Sequence, residues 1–91
     1  MTTNKILPSV LDNNVMFVDY HVFPETCITV CCITMKNGYN TVGHSGCVDP
    51  ENFNEELGKE IAKNNAWNAM YHLLSYELKQ KMYDDALAKV S

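Results

Sequence analysis

Four cysteines and three histidines are the residues of this 91-residue chain whose types could support metal or thiol chemistry. Zinc binds both types, so the candidate ligands are Cys27, Cys31, His21 and His44. A hairpin that places Cys31 opposite His44 would bring two ligands together. Cys27 would share that face but lie four residues along the strand, roughly 13 Å away. No C-x-x-C pair is present, so the spacing predicts no metal site.

The same two residues, Cys31 and His44, could instead form a nucleophile and its base, because a nearby imidazole activates a thiol. No orienting carboxylate stands near His44, although Asp49 or a more distant residue could supply one. The start of the chain shows no secretion signal, so we expect the cysteines to be reduced thiols that pack as small apolar groups. We therefore predict that the protein is not an enzyme and has no cofactor.

The segment Gly43-His44-Ser45-Gly46 places two glycines within a predicted strand. Such glycines indicate a bulge or a close approach of another backbone, here a bent strand that makes room for a helix. The alternative is that exposed amide groups hold an anion, with Gly43, His44 and Ser45 as the contacts. The close approach is the favoured interpretation, and the anion contact stays open.

Charge and composition limit the possible partners. The formal charge is −4, and 46% of the residues are hydrophobic while 20% are charged. A chain of this size forms one hydrophobic core and hence one domain. Its net field repels phosphate backbones and anionic membranes, and no apolar run approaches the roughly 18 residues that a membrane-spanning helix needs. We expect a cytoplasmic protein without a membrane partner.

The elements that must position these residues form an α+β fold, with a three-stranded antiparallel sheet covered by a long C-terminal helix. Residues 1–15 are expected to be weakly structured or a short helix, and residues 16–88 a single βββα domain. Alternating apolar residues predict strands near residues 16–23, 27–35 and 39–48. Asn37-Gly38 predicts a two-residue turn between the last two strands, and its register places Cys31 opposite His44.

A helix, or two helices with a bend between them, is predicted from about residue 50 to residue 88, because Asp49 can cap it and Pro50 suits its first position. Large apolar residues fall on one side, which we expect to face the sheet: Phe53, Leu57, Ile61, Trp67, Met70, Tyr71, Leu74, Leu78 and Met82. A second stripe lies roughly opposite: Gly58, Ala62, Ala66, Ala69, Leu73, Tyr76 and Leu87. This stripe predicts a homo-oligomer. The predicted interface or binding residues are Gly58, Ala62, Asn65, Ala69, His72, Leu73 and Tyr76.

Three stretches carry a family resemblance: YHVFPETCITVCCITMKNG, GHSGCVDPENF and ELGKEIAKNNAW. Together they resemble a family of small tailed-phage proteins, that of the gene 66 protein of a Shigella phage, over about residues 20–78. The resemblance implies a phage-encoded accessory protein made in the host cytoplasm. It implies no catalytic or binding residues.

A second likeness concerns the fold alone. The predicted order of a short helix, three strands and a long helix is similar to that of the double-stranded RNA-binding domain. That family places lysines at the start of its second helix, where this chain has acidic residues instead: Asp49, Glu51, Glu55 and Glu56. Nucleic-acid binding is therefore an alternative that the charge disfavours. The function we expect is non-enzymatic binding of a host protein or a small anionic host molecule, with counter-defence as one setting.

Overall fold

The computed structural model describes residues 6–90. The elements are α1 (Pro8–Asn14), β1 (Val15–Val22), β2 (Thr29–Met35), β3 (Asn40–Ser45), a 3₁₀ turn (Pro50–Asn52) and α2 (Glu55–Val90). The three strands form one antiparallel sheet in the order β1-β2-β3. This architecture confirms the predicted fold class, including the short N-terminal helix and the long C-terminal one. Residues 1–5 of the predicted N-terminal segment lie outside the described part of the chain.

The sheet has one covered face and one open face. Along β2 every second residue is buried beneath α2: Thr29, Cys31, Ile33 and Met35. On the opposite face four apolar side chains keep between 43% and 56% of their surface exposed: Phe17, Phe23, Ile28 and Val42. These four residues, with His21 and His44 among them, are called the open sheet face below. No element within residues 6–90 packs on it.

The register of the β2–β3 hairpin differs by one residue from the predicted one. The amide of Met35 donates to the carbonyl of Tyr39, and the amide of Gly38 donates to the carbonyl of Met35. The loop therefore has three residues rather than two, with Gly38 at a φ of 90°. Three-residue hairpin loops place a glycine with positive φ at this position. Since the side-chain period of a strand is two, the shift moves every side chain of β3 to the opposite face.

The helical region begins in two steps. The Asp49 carboxylate accepts a hydrogen bond from the Glu51 amide, which confirms Asp49 as a cap, but the segment it starts is only the 3₁₀ turn. The Asn54 side chain then accepts from the Leu57 amide at 3.1 Å and begins α2. Asn54 is thus the residue that caps the long helix.

The face of α2 that packs on the sheet is the small-residue stripe, so the predicted assignment of faces is wrong for its first half. Ala62, Ala66 and Met70 are fully buried, whereas Leu57 and Ile61 are 51% and 43% exposed. The physical reason lies in β3, because Gly43 has no side chain and lets the helix backbone rest directly on the strand. A helix that approaches so closely presents alanines to the sheet and leaves its larger side chains at the flanks.

Two of the four cysteines form a disulfide, which corrects the expectation that all are reduced thiols. Cys27 and Cys47 are bonded, with their Cα atoms 5.5 Å apart. They stand just before β2 and just after β3, where they continue the pairing of the hairpin. Cys31 and Cys32 are free thiols. The sequence did not reveal this pair, because the predicted register placed Cys27 opposite no cysteine.

The second half of α2 extends beyond the sheet. The whole of α2 has 36 residues and spans about 54 Å. Its last buried residue is Leu74. All residues from 79 to 90 are exposed. Residues 75–90 are called the helix extension below. No helix of the described chain is both long and apolar enough to cross a membrane.

Candidate functional site

Cys31 and His44, the predicted thiol and imidazole pair, lie on opposite faces of the sheet. Cys31 pairs with Gly43 and is fully buried beneath α2, while His44 pairs with Val30 and is exposed. Their predicted cross-strand contact is therefore wrong, and the one-residue shift of the hairpin is the reason. An imidazole on the other side of the sheet cannot accept a proton from this thiol.

The surroundings of Cys31 stabilise the protonated thiol. Burial raises the pKa of Cys31, and the neighbouring Cys32 raises it further, while Lys63 acts in the opposite direction. Burial also raises the pKa of Tyr20, with a smaller contribution from Cys31. The thiolate is the reactive form of cysteine, so the raised pKa of Cys31 disfavours nucleophilic chemistry at this thiol.

The other candidate metal ligands are also dispersed. Cys27 is held in the disulfide, and His21 lies beside Phe23 with ring centroids 4.7 Å apart. Within residues 6–90, no three side chains of histidine, cysteine, aspartate or glutamate gather closely enough to hold a metal ion.

The residues considered for an anion contact are engaged with α2 instead. The Ser45 hydroxyl donates to the Gly58 carbonyl at 2.6 Å. The Asn65 side chain donates to the His44 carbonyl at 2.8 Å. A side chain at Gly43 would overlap the helix backbone. This geometry agrees with the close-approach interpretation, in which the strand leaves space for the helix.

The seven predicted interface residues do not form one surface. Gly58 and Ala62 lie against the sheet of their own chain, where Gly58 faces the Thr29 side chain and Ala62 is fully buried. Ala69, His72 and Leu73 line a groove of about 420 Å³ beside the start of β3. Tyr76 is 70% exposed on the helix extension. Asn65 lies in a separate cleft at the other side of α2.

That cleft, between α1 and α2, is a concave surface large enough to hold a ligand. It has a volume of about 500 Å³ and is lined by Ile6, Pro8, Leu11, Asn64, Asn65, Trp67, Asn68 and Tyr71. Its size and its mixture of apolar walls with a few polar groups match those of small-molecule sites in proteins. We call it the α1–α2 cleft.

The polar groups of the α1–α2 cleft are three amides and a nearby cation. Asn64 and Asn68 lie one turn apart on α2, and within residues 6–90 neither side chain makes a hydrogen bond. The Lys63 ammonium lies 5.9 Å from the centre of the Trp67 ring. An aromatic face, free amides and a cation are the groups that a planar, anionic ligand requires.

Sequence reasoning missed this cleft for a specific reason. Trp67 and Tyr71 were assigned to the sheet, but Tyr71 is 41% exposed and the Trp67 ring only borders the core. Helix α1, which forms the second wall, was expected as a short N-terminal helix, but no position beside Trp67 was predicted for it. Leu11, the only buried residue of α1, is the contact by which this helix packs on the body of the protein.

Fold and cleft together define a small α+β protein in which one helix covers the sheet, flanks a ligand-sized cleft and extends into solvent. A family model described as "Phage protein (N4 Gp49/phage Sf6 gene 66) family" matches residues 2–82. The chain belongs to this family and is a phage protein, as the resemblance predicted. Neither the curated proteins nor the solved structures yielded a significant match.

Proposed function

We propose that this phage protein is a non-enzymatic binding protein that holds a small host molecule in the α1–α2 cleft. The observation that carries the proposal is the composition of that cleft, in which Trp67 and Tyr71 stand beside the amides of Asn64 and Asn68. The ligand class that fits is a nucleotide, which combines a planar base with an anionic group. Removing such a molecule from the host would act against a defence that signals through it.

The charge of the protein does not oppose this ligand, because binding would be local. The net charge of −4 repels an anion at long range. At the edge of the cleft, however, Lys63 lies 5.9 Å from the centre of the Trp67 ring, and the base can stack on the ring while the cation meets the phosphate. Separate places for ring and phosphate favour a nucleotide over a simple inorganic anion.

The absence of catalysis in this proposal is supported by the position of Cys31. This buried thiol has a raised pKa, and the imidazole of His44 lies on the other face of the sheet. The described residues that line the cleft supply amides, aromatic rings and aliphatic side chains, with no histidine, cysteine or carboxylate among them. Sequestration therefore requires only binding groups of the kind that the described residues of the cleft provide.

The test uses the single tryptophan of the chain as its own reporter. A panel of linear and cyclic nucleotides is titrated, with inorganic phosphate and an uncharged nucleoside as comparisons. We expect at least one nucleotide to quench Trp67 fluorescence and raise the melting temperature, because a ligand that binds only the folded state stabilises it. A panel that changes neither signal would refute binding at the cleft.

Two variants locate the binding. Lys63→Ala should weaken nucleotide affinity about tenfold, as expected for loss of one charged contact. Lys59→Ala is the matched control, since Lys59 lies one turn earlier on α2, where its ammonium contacts the exposed Glu55 and the Tyr20 ring. Equal weakening by both substitutions would indicate nonspecific attraction to α2 rather than a site.

A second candidate function is binding of a bacterial protein, and the open sheet face is the observation that favours it. Phe17 and Val42 are 49% and 56% exposed there, and apolar surface of this kind is a common feature of protein-binding sites. A host protein captured at a 1:1 ratio should be lost with Val42→Asp and retained with Lys63→Ala. The reverse pattern would assign the capture to the cleft.

Nucleic-acid binding remains the weaker alternative. The observed element order matches that of the double-stranded RNA-binding domain, but Glu55 and Glu56 occupy the first turn of α2. These carboxylates would repel the phosphates that this helix end would have to meet. Filter binding of duplex RNA at low salt is the direct check, and we expect no retention.

A further inference from the structure

We infer that the helix extension is a dimerisation element, in which a second copy of this chain packs parallel and in register against one seam of α2. The residues of this heptad seam alternate in steps of three and four: Leu73, Tyr76, Gln80, Tyr83, Leu87 and Val90. Apolar residues at this spacing are typical of a coiled coil. The proposal is independent of any ligand in the α1–α2 cleft.

The exposure of the seam is the first physical argument. Tyr76, Leu87 and Val90 are 70%, 51% and 87% exposed, and the seam continues for about 27 Å along the helix. A single helix that projects into water gains nothing from such side chains, because no other element within residues 6–90 packs on them. A matching seam on a second chain would remove all of them from water at once.

The residues that precede the heptad seam on the same side of α2 determine where contact with the second copy can begin. Upstream, the same side of α2 carries Ala62 and Ala66, and there it is occupied by Gly43 of β3. Further toward the C-terminus of α2, beyond the start of β3, no strand lies against this side of the helix within residues 6–90. A second helix can therefore occupy it only from about Leu73 onward, and the two helices must diverge before that point.

The charges beside the seam decide the orientation of the pair. In a parallel, in-register pair, residues that flank the seam meet residues five positions later on the other helix. Lys79 then meets Asp84, which is a pair of opposite charges. In an antiparallel pair Glu77 would instead approach Asp84, and these like charges would repel each other. The flanking charges thus fit a second copy in the parallel direction.

The test measures the mass of the intact protein in solution by sedimentation equilibrium over a range of concentrations. We expect a reversible dimer, and Leu87→Glu should raise its dissociation constant by about tenfold or more because a charge would enter the seam. Met82→Glu is the matched control, since Met82 is a 36% exposed apolar residue on another side of the extension. Circular dichroism checks that both variants keep their helix.

A charge exchange tests the orientation. With parallel helices, Asp84→Lys places two lysines opposite each other and should weaken the dimer about fivefold. The double substitution Lys79→Glu with Asp84→Lys should restore wild-type affinity. A strengthened dimer with Asp84→Lys alone would demonstrate the antiparallel arrangement and overturn the proposal. A protein that stays monomeric at the highest concentration, or one that Met82→Glu dissociates equally, would also overturn it.

Discussion

Gly43 of β3 and Ala66 of α2 pack backbone against backbone, with no room between them for a methyl group. A Cβ atom added at Gly43 would overlap the Ala66 amide nitrogen and the Ala62 carbonyl oxygen, and it would lie 2.7 Å from the carbonyl carbon of Asn65. None of these atoms is the end of a flexible side chain. The whole helix would have to move away from the sheet to admit any side chain.

Gly43→Ala should therefore lower the free energy of unfolding by about 3 kcal/mol, because the overlap involves backbone that cannot yield locally. Gly46→Ala is the matched control, since its nearest contact would be Ile28 Cγ1 at 3.9 Å, an ordinary distance. We expect the control to change stability by less than about 0.5 kcal/mol. Urea unfolding of both variants measures the difference, and similar values for the two would contradict the close approach.

Ala62→Glu tests which face of α2 is core. Because Ala62 is fully buried against the sheet, a carboxylate there should lower the free energy of unfolding by more than about 3 kcal/mol. Ala69→Glu is the companion variant on the same helix, at an exposed position, and should change it by less than about 0.5 kcal/mol. A folded Ala62→Glu protein with wild-type stability would restore the view that this residue belongs to an outer surface.

The disulfide predicts a specific pattern of thiol labelling. In denaturant without reductant, mass spectrometry should show two alkylated cysteines, Cys31 and Cys32, and four after reduction. Replacing Cys27 and Cys47 by serine should lower the stability of the oxidised protein by about 3 kcal/mol, the value expected for a loop of this length. Four labelled cysteines in protein prepared without reductant would contradict the pairing.

Stability should fall in alkaline solution because of Cys31 and Tyr20. Burial raises the pKa of both groups in the folded protein, so their contribution is fully present below the pKa of the unfolded chain. It is lost as the pH rises through the folded-state value. Cys31→Ala should lose less stability over this alkaline range than the wild type, because it lacks the buried thiol and also the smaller contribution of Cys31 to the raised pKa of Tyr20. Chemical unfolding at several pH values provides the measurement, and parallel curves for the two proteins would exclude Cys31 as a cause.

Local signals in the sequence were sufficient for the order of elements. The alternation of apolar and polar residues predicted the strands, and Asn37-Gly38 predicted the hairpin. Asp49-Pro50 marked where the helical region begins. Each of these signals acts within a few residues, so tertiary contacts do not alter it. The fold class therefore followed from the sequence.

The register and the site did not follow, because they depend on choices that local signals leave undecided. Asn37-Gly38 is compatible with a loop of two or three residues, and that single residue determines whether Cys31 faces His44 or Gly43. The faces of α2 were undecided for a similar reason. Large apolar residues usually mark the packed side of a helix, but the missing side chain at Gly43 gave that side to the alanines.

The pairing of Cys27 with Cys47 has a consequence for the hairpin that lies between them. Joined at one end by the Lys36-Asn37-Gly38 loop and at the other by sulfur, β2 and β3 form a closed ring of main chain. Sliding one strand past the other by a single position would separate the two cysteines and turn Gly43 away from the helix. The oxidised molecule is therefore confined covalently to the one alignment in which α2 can rest on the sheet.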